Sequence, residues 1–496
     1  MQILINSIER NNCRTAILPI LKNSALEVAF QANELDGASI PFSVIEQDLQ
    51  TGKQKAKELY TPQGLRVVLC SISDPHNLRS SILAARKIAH HHSHLFDEPV
   101  LLACAHLEES EQAILIDSFL NGFAQGSYQI AQYQTDKEKQ RFDLAKLVVH
   151  ISATLNEDRI TAISQRTQAI AETQLEIFRL VDAPSNKKVP NDIANWALQS
   201  GQANGFNVRV MEKPEIEQLG LYALLAVNQA SPTPPRFIIC EYKPENTEPL
   251  PRITMVGKGV TFDTGGLSLK PSNNMHFMKS DMGGAAAVLG TMEVIAKLQL
   301  PVHLVVIVPS TDNSIGTTAV KPSDVIQSYS GKTIEIIDTD AEGRLILSDG
   351  IAYSLKHHPA DTLIDVATLT GSVIRTLGYA AAGLFTNNDQ LAEELTAAGQ
   401  QSGERLWRLP IWEEYGDQMK SDVADIKNFS GKPMAGAITA AKFLQFFTDN
   451  HPRWAHLDIA GMAVGDSEFS KQKGATGFGI RLLLTFVEST IQSHSS

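Results

Sequence analysis

Through roughly the first 150 residues, short apolar runs alternate with polar and helix-patterned stretches. The runs are ILINSI, RTAILPIL, EVAF, LRVVLCSI, PVLLACA and LAKLVVHISA. Such alternation predicts an α/β body. The pattern changes over residues 155–180. There Ile160, Ile163, Ile170, Ile177 and Phe178 recur near helical spacing, Asn156 or Asp158 is placed to cap, and Gly and Pro are absent. This predicts one long helix joining two bodies. Pro184, in the DAPSN turn, ends it, because proline disfavours the helical conformation of the residue before it.

Farther along, strand candidates are bounded by Gly, Pro and Asp: RFIICEY, RITMVG, HLVVIVP, TIEIID, DTLIDVATL, AAGLFT and WAHLDIAG. Helical stretches lie between them, notably residues 282–298 and 345–357. Several runs are almost continuously apolar, as in a sheet covered on both faces. Connections of this length favour right-handed parallel crossovers. The expected fold is α/β throughout: an N-terminal α/β domain over residues 1–154, a linking helix over 155–182, and a larger C-terminal α/β domain over 183–496 with a mainly parallel central sheet.

Composition narrows the setting. Hydrophobic residues make up 43% and charged residues 20%, which places the 496-residue chain among soluble globular proteins of two to three domains. The opening MQILINSIERNNC lacks the basic start of a secretory signal. No apolar run approaches the roughly 18 residues of a membrane span. Cys13, Cys70, Cys104 and Cys240 are too scattered for a disulfide framework, so a reducing cytoplasm is expected. A net charge of −12 argues against nucleic acid as the main partner.

In open α/β sheets, ligands collect at the carboxyl ends of strands. Here RITMV runs into Lys258 and then Asp263; Asp281 precedes a Gly-rich helix start; TIEIID runs into Asp340, Glu342 and Arg344. Asp340 and Glu342 are two apart, so an extended stretch would point both to one side. Converging carboxylates without cations would raise one another's pKa values. An oxygen-rich set lacking His and Cys suits Mg²⁺, Mn²⁺ or Zn²⁺, and two such ions would use this many acids. Taken singly, an Asp at a strand end is more often a helix cap or a surface acid. GKGVTFDTGG fits neither phosphate-loop pattern.

The stretch DTDAEGRLILSDG resembles the signature NTDAEGRL of the leucyl aminopeptidase (cytosol aminopeptidase) family. VGKGVTFDTGGLSLKPS with MKSDMGGAAAV resembles that family's other metal-binding block. DVATLTGS, MKSDVADIKN, AGAITAAKFL and WAHLDIAG with KGATG extend the likeness from Pro184 to about Phe486. The resemblance implies a catalytic metallopeptidase domain and two divalent ions, Mn²⁺ or Zn²⁺. Lys258 and Asp281 would bind one ion, Asp340 the other, and Asp263 and Glu342 both. A lysine ligand must be neutral, which costs roughly 4–5 kcal/mol at pH 7 from a pKa of about 10.4 and so requires an adjacent dication. Lys270 and Arg344 match the family's catalytic positions: Lys270 as oxyanion stabiliser, Arg344 as holder of a proton-relaying bicarbonate. Met278, Thr368, Leu369, Gly371 and Ala460, with a neighbour near Ala463, match the substrate pocket. Their small or apolar character implies peptide substrates with a free, uncharged N-terminal residue such as Leu or Met. The family likeness also implies a homohexamer.

Three positions depart from the family pattern: Asp338 where Asn is usual, Thr311-Asp312-Asn313 where Glu-Asn is common, and Met434 with Phe478 near the pocket rim. The run His90, His91, His92, His94 follows a helical stretch and reads as a solvated helix end rather than a metal site. No GxSxG elbow supports nucleophilic catalysis. The rival reading is a regulatory or DNA-binding scaffold on the same fold, which predicts lost ligands or a strongly basic surface.

Overall fold

The computed structural model describes residues 1–6, 12–22, 24–50, 56–131, 133–135, 142–245, 249–465 and 468–495. The chain divides into two compact units, Met1–Leu175 and Glu176–Ser496. The helix Glu157–Asp182 contains the boundary. Asn156 sits just ahead of it, its Oδ1 accepting from Asp158 N at 2.8 Å, the kind of bond that satisfies a first-turn donor.

In the first unit six strands form one sheet, in the order Gln2–Ile5, Val148–Ser152, Val100–Ala103, Thr15–Leu21, Arg66–Ile72, Ala56–Tyr60. All pairings are parallel except the last. Alternate residues feed separate cores: Ile17, Val68 and Leu102 pack with Phe119 and Phe123, while Leu18, Leu69 and Leu101 pack with Phe30. Burial on both faces explains the unbroken apolar run TAILPIL. EVAF is no strand. It lies in the helix Leu26–Ala32, whose buried Leu26, Ala29 and Phe30 follow helical spacing.

The second unit holds a nine-stranded sheet. Trp454–Asp458, Thr362–Ala367, Arg252–Gly257 and His303–Asn313 form its parallel centre. Antiparallel pairings follow on either side, to Ala382–Thr386 and Arg236–Tyr242. Gly259–Asp263 pairs parallel with the far end of His303–Asn313. The helix Gly283–Lys297 packs closely on this centre because a Cβ on Gly284 would lie 2.1 Å from Val366 O. Among the described residues, no helix is long and apolar enough to cross a membrane.

TIEIID corrects the expectation of a single sheet. Only Thr333–Glu335 is a strand, and it belongs to a separate three-stranded sheet with Val325–Gln327 and Ile426–Lys427. Ile336 leaves the ladder, its N–H donating to Asp324 O at 2.9 Å and its carbonyl accepting from Ser323 N at 2.6 Å. Asp340 therefore sits in a turn and Glu342 at the N-cap of the helix Gly343–His357. The two acids converge through that turn, not through an extended stretch.

Candidate metal centre

Lys258 follows the central strand Arg252–Gly257, and its N–H still bonds Val366 O at 3.0 Å, continuing the ladder. Its side chain is only 3% exposed and reaches three elements. Nζ lies 2.7 Å from Asp281 Oδ2 and 2.8 Å from Glu342 Oε1, and donates to Thr368 O at 3.0 Å. Gly343 makes room for it: a Cβ there would come within 2.5 Å of Lys258 Cε. The signature's glycine is thus a cradle for the lysine.

Lys270 bridges the remaining acids, with Nζ 2.8 Å from Asp263 Oδ2 and 2.5 Å from Asp340 Oδ1. Asp263 Oδ1 accepts from Gly265 N and from Asn313 Nδ2, each at 2.8 Å. Asn313 also donates to Thr339 O at 3.1 Å, tying the two acidic segments together. Asp281 Oδ1 accepts from Thr368 Oγ1 at 2.7 Å. Carboxylate oxygens of Asp263, Asp340 and Glu342 lie within 4.8 Å of one another.

The charges do not balance within the cluster. Four carboxylates face two ammonium groups. Burial, with the charges of Glu342 and Asp263, pushes Asp281 up to about 8, despite the two lysines. Burial and the same two acids push Asp340 up to about 7. Burial also raises Asp263, whereas Lys258 and Lys270 overcome burial at Glu342 and hold it low. For Lys258 burial favours the neutral amine, yet Asp281, Glu342 and Asp263 outweigh it and raise its pKa. The site calls for more positive charge than the chain supplies. Among the described residues, buried Asp281 Oδ2, Asp340 Oδ1 and Glu342 Oε1 meet no donor besides the lysine ammonium groups, which leaves each oxygen a lone pair for a cation. This donor set fits divalent cations.

Arg344 is buried beside the cluster. Nη1 donates to Asn428 O at 2.8 Å, while Nε has no hydrogen-bond partner. Burial lowers its pKa to about 10, leaving it fully cationic at neutral pH.

Of the residues that the family resemblance assigns to a substrate pocket, Met278, Thr368, Leu369 and Ala460 lie against two acids. Asp281 N donates to Met278 O at 3.3 Å, and Thr368 binds the Asp281 carboxylate. Asp458 Oδ1 accepts from Leu369 N at 3.1 Å and Ala460 N at 3.2 Å, and Oδ2 from Thr370 Oγ1 at 2.7 Å. Gly371 is exposed, with only Arg375 Nη1 near its absent Cβ, at 3.8 Å. Sequence reasoning missed Asn313, Asn428 and Asp458. The first was visible only as a departure, the second only as a letter in MKSDVADIKN, and the third only as a strand-end acid in WAHLDIAG.

A buried carboxylate–lysine cluster short of positive charge, beside a mainly parallel sheet, is the kind of site a metal-dependent α/β enzyme presents. The catalytic-domain pattern of the cytosol aminopeptidase family matches residues 177–484. The chain is 45% identical to a probable cytosol aminopeptidase of Chlorobium phaeobacteroides over 389 residues, 77% of each chain. It is 42% identical to one of a Geobacter species over 382 residues, 77% of this chain and 76% of the other. Among solved structures, cytosol aminopeptidase from Coxiella burnetii superposes with a TM-score of 0.80 at 29% identity, covering 99% of both chains. The Bottromycin maturation enzyme BotP in complex with Mn gives 0.82 at 28% identity, covering 96% of this chain and 99% of that one. The chain belongs to the cytosol aminopeptidase family, and it is an exopeptidase of the leucyl aminopeptidase type.

Proposed function

We propose that the chain releases single uncharged residues, Leu and Met foremost, from free peptide N-termini, using two divalent ions held by Lys258, Asp263, Asp281, Asp340 and Glu342. The observation that carries this reading is Lys258 Nζ, nearly fully buried and 2.7 and 2.8 Å from two carboxylates in a cluster short of positive charge. Bound ions would supply Lewis acidity toward the scissile carbonyl and the attacking water. Mn²⁺ and Zn²⁺ both suit the donors, and the Mn complex of BotP favours manganese.

The remaining tasks fall to the chain. Lys270, 21% exposed against 3% for Lys258, is the ammonium a substrate can reach, and it stabilises the oxyanion of the tetrahedral intermediate. Arg344 is fixed through Nη1, and its remaining donors would hold a bicarbonate, whose chemistry there would be proton relay. Met278, Thr368, Leu369, Gly371 and Ala460 line the pocket for the departing residue, and their small or apolar character favours an uncharged side chain.

Residues 183–496 carry the catalysis, with 1–154 as an accessory α/β domain and 155–182 as the linking helix. A homohexamer follows from the family likeness. The four buried, free cysteines fit a cytoplasmic location. A DNA-binding role finds no support in a chain of net charge −12.

The test is hydrolysis of amino-acid amides by metal-stripped protein reloaded with Mn²⁺ or Zn²⁺. Leu- and Met-amide should turn over, while N-acetyl-Leu-amide and Asp-amide should not. Equal cleavage of the acetylated substrate would remove the exopeptidase geometry; inactivity on every amide would remove the catalytic reading.

A further inference from the structure

Asn428 follows the short strand Ile426–Lys427, which pairs parallel with Thr333–Glu335. It is completely buried, and both its backbone groups and its side chain are bonded. Its N–H donates to Glu335 O at 2.9 Å, the last rung of that ladder. Beyond this point the neighbouring chain bends away, and the Asn428 side chain takes over. Oδ1 accepts from Ile337 N at 2.8 Å and Asp338 N at 3.3 Å. Nδ2 donates to Asp338 O at 2.6 Å, with a longer contact to Ala341 O at 3.4 Å. The Asn428 carbonyl then accepts from Arg344 Nη1 at 2.8 Å. One residue thus grips both ends of the turn that presents Asp340, together with the arginine one helical turn later. It touches none of the acid side chains in the cluster.

The chemistry explains why asparagine serves here. Two backbone donors and two backbone acceptors face the side chain. A primary amide alone offers a carbonyl oxygen and two N–H groups on one planar head. Aspartate would set an oxygen against Asp338 O, and a hydroxyl would be too short to span both ends. Networks of this kind fix geometry only while every member is satisfied.

We propose that Asn428 is the positioning residue of the metal centre: it holds the Asp338–Ala341 turn and Arg344 in register, so that Asp340 meets Lys270 and Glu342 meets Lys258. This rests on the two-ion reading above. Asn428 acts through other residues and does not touch the substrate.

The test measures Mn²⁺ affinity and stoichiometry, kcat and KM on Leu-amide, and thermal stability for the full-length wild type, Asn428→Ala, Asn428→Asp and Asp425→Ala. Asp425 is the control, since its Oδ2 accepts from Thr333 N at 2.8 Å and Thr333 Oγ1 at 2.9 Å, clamping the other end of the same two strands. Asn428→Ala should bind its weaker Mn²⁺ about 10–100-fold less tightly, with kcat reduced and KM little changed, as for other outer partners of metal ligands. Asn428→Asp preserves volume and the Oδ1 acceptor, so it reports on the Nδ2 donors even if the alanine variant does not fold. It should show the same defect. Asp425→Ala should lose stability while keeping Mn²⁺ affinity and kcat. If the folded Asn428 variants bind Mn²⁺ as the wild type does, or behave like Asp425→Ala, Asn428 merely secures the small sheet and the proposal falls. A wild type that takes up no Mn²⁺ would remove the metal reading itself, and this inference with it.

Discussion

Both units end parallel strands in polar loops, but they treat the buried polar groups there in opposite ways. In the first unit the groups are amides, and they close on one another. Gln112 is fully buried; its Oε1 accepts from Thr154 N at 2.9 Å and Leu155 N at 3.2 Å, and its Nε2 donates to Leu107 O and Thr154 Oγ1, each at 2.7 Å. Asn33 likewise serves Ala29 O, Ala105 N and His106. These two side chains spend their donors and acceptors within the protein. In the second unit the corresponding loops bury four carboxylates with two lysines, and three of the acid oxygens lack a well-formed hydrogen bond. A satisfied network holds a fold together; a network short of charge is built to take something in.

Breaking the second network should cost function most. Glu342→Ala removes a carboxylate beside both Lys258 and the other acids, and Leu-amide hydrolysis should fall below detection in Mn²⁺-loaded protein. Lys270→Ala comes next. Turnover should drop about 10²–10³-fold, the usual loss for one oxyanion donor, while metal analysis finds the ions retained. Gly343→Ala forces a Cβ to within 2.5 Å of Lys258 Cε. Displacing that lysine should weaken Mn²⁺ binding by roughly 10–100-fold, read by titration of the stripped protein.

The first network should fail in stability alone. Gln112→Ala strands two N–H groups and a carbonyl, which should cost about 3 kcal/mol in urea unfolding and leave kcat of the folded enzyme unchanged. His106 offers a pH version of the same contrast. Its Nε2 contacts Pro19 O at 2.9 Å and its Nδ1 contacts Asn33 Nδ2 at 3.1 Å. Both are good bonds only for a neutral ring that donates from Nε2 and accepts at Nδ1. Burial lowers its pKa from 6.5 to about 4, against the Pro19 carbonyl. Between those values the unfolded chain binds the extra proton. Stability should therefore be intact above pH 6.5 and decline as pH falls toward 4, by about 2–3 kcal/mol from this residue. His106→Gln should flatten that slope.

Much of this contrast was legible in the sequence. Apolar runs marked six of the nine strands of the large sheet and passed over Asn207–Met211, Gly259–Asp263 and Leu406–Arg408. The doubly buried RFIICEY and TLIDVA stood out, while the edge strand Ala56–Tyr60 of the first unit, alternating exposed and half-buried, did not. The side chains that gather in the cluster were legible because their motifs are contiguous. What holds them was not. Asn428 reaches Ile337 and Asp338 across 91 and 90 positions, and Asn313 reaches Asp263 across 50. Such bonds depend on a turn whose course is set by tertiary contacts, and TIEIID misled for the same reason. Its apolar letters suit a strand, but Asp324 and Ser323 capture Ile336 and start the bend.

The most direct test of the central claim is the Mn²⁺ content and Leu-amide turnover of the wild type beside Lys258→Met, which keeps the length of the side chain and removes its nitrogen. Two tightly held ions per wild-type chain are expected, fewer in the variant, with turnover lost alongside them. A variant that holds both ions and hydrolyses Leu-amide at the wild-type rate would contradict the two-ion reading.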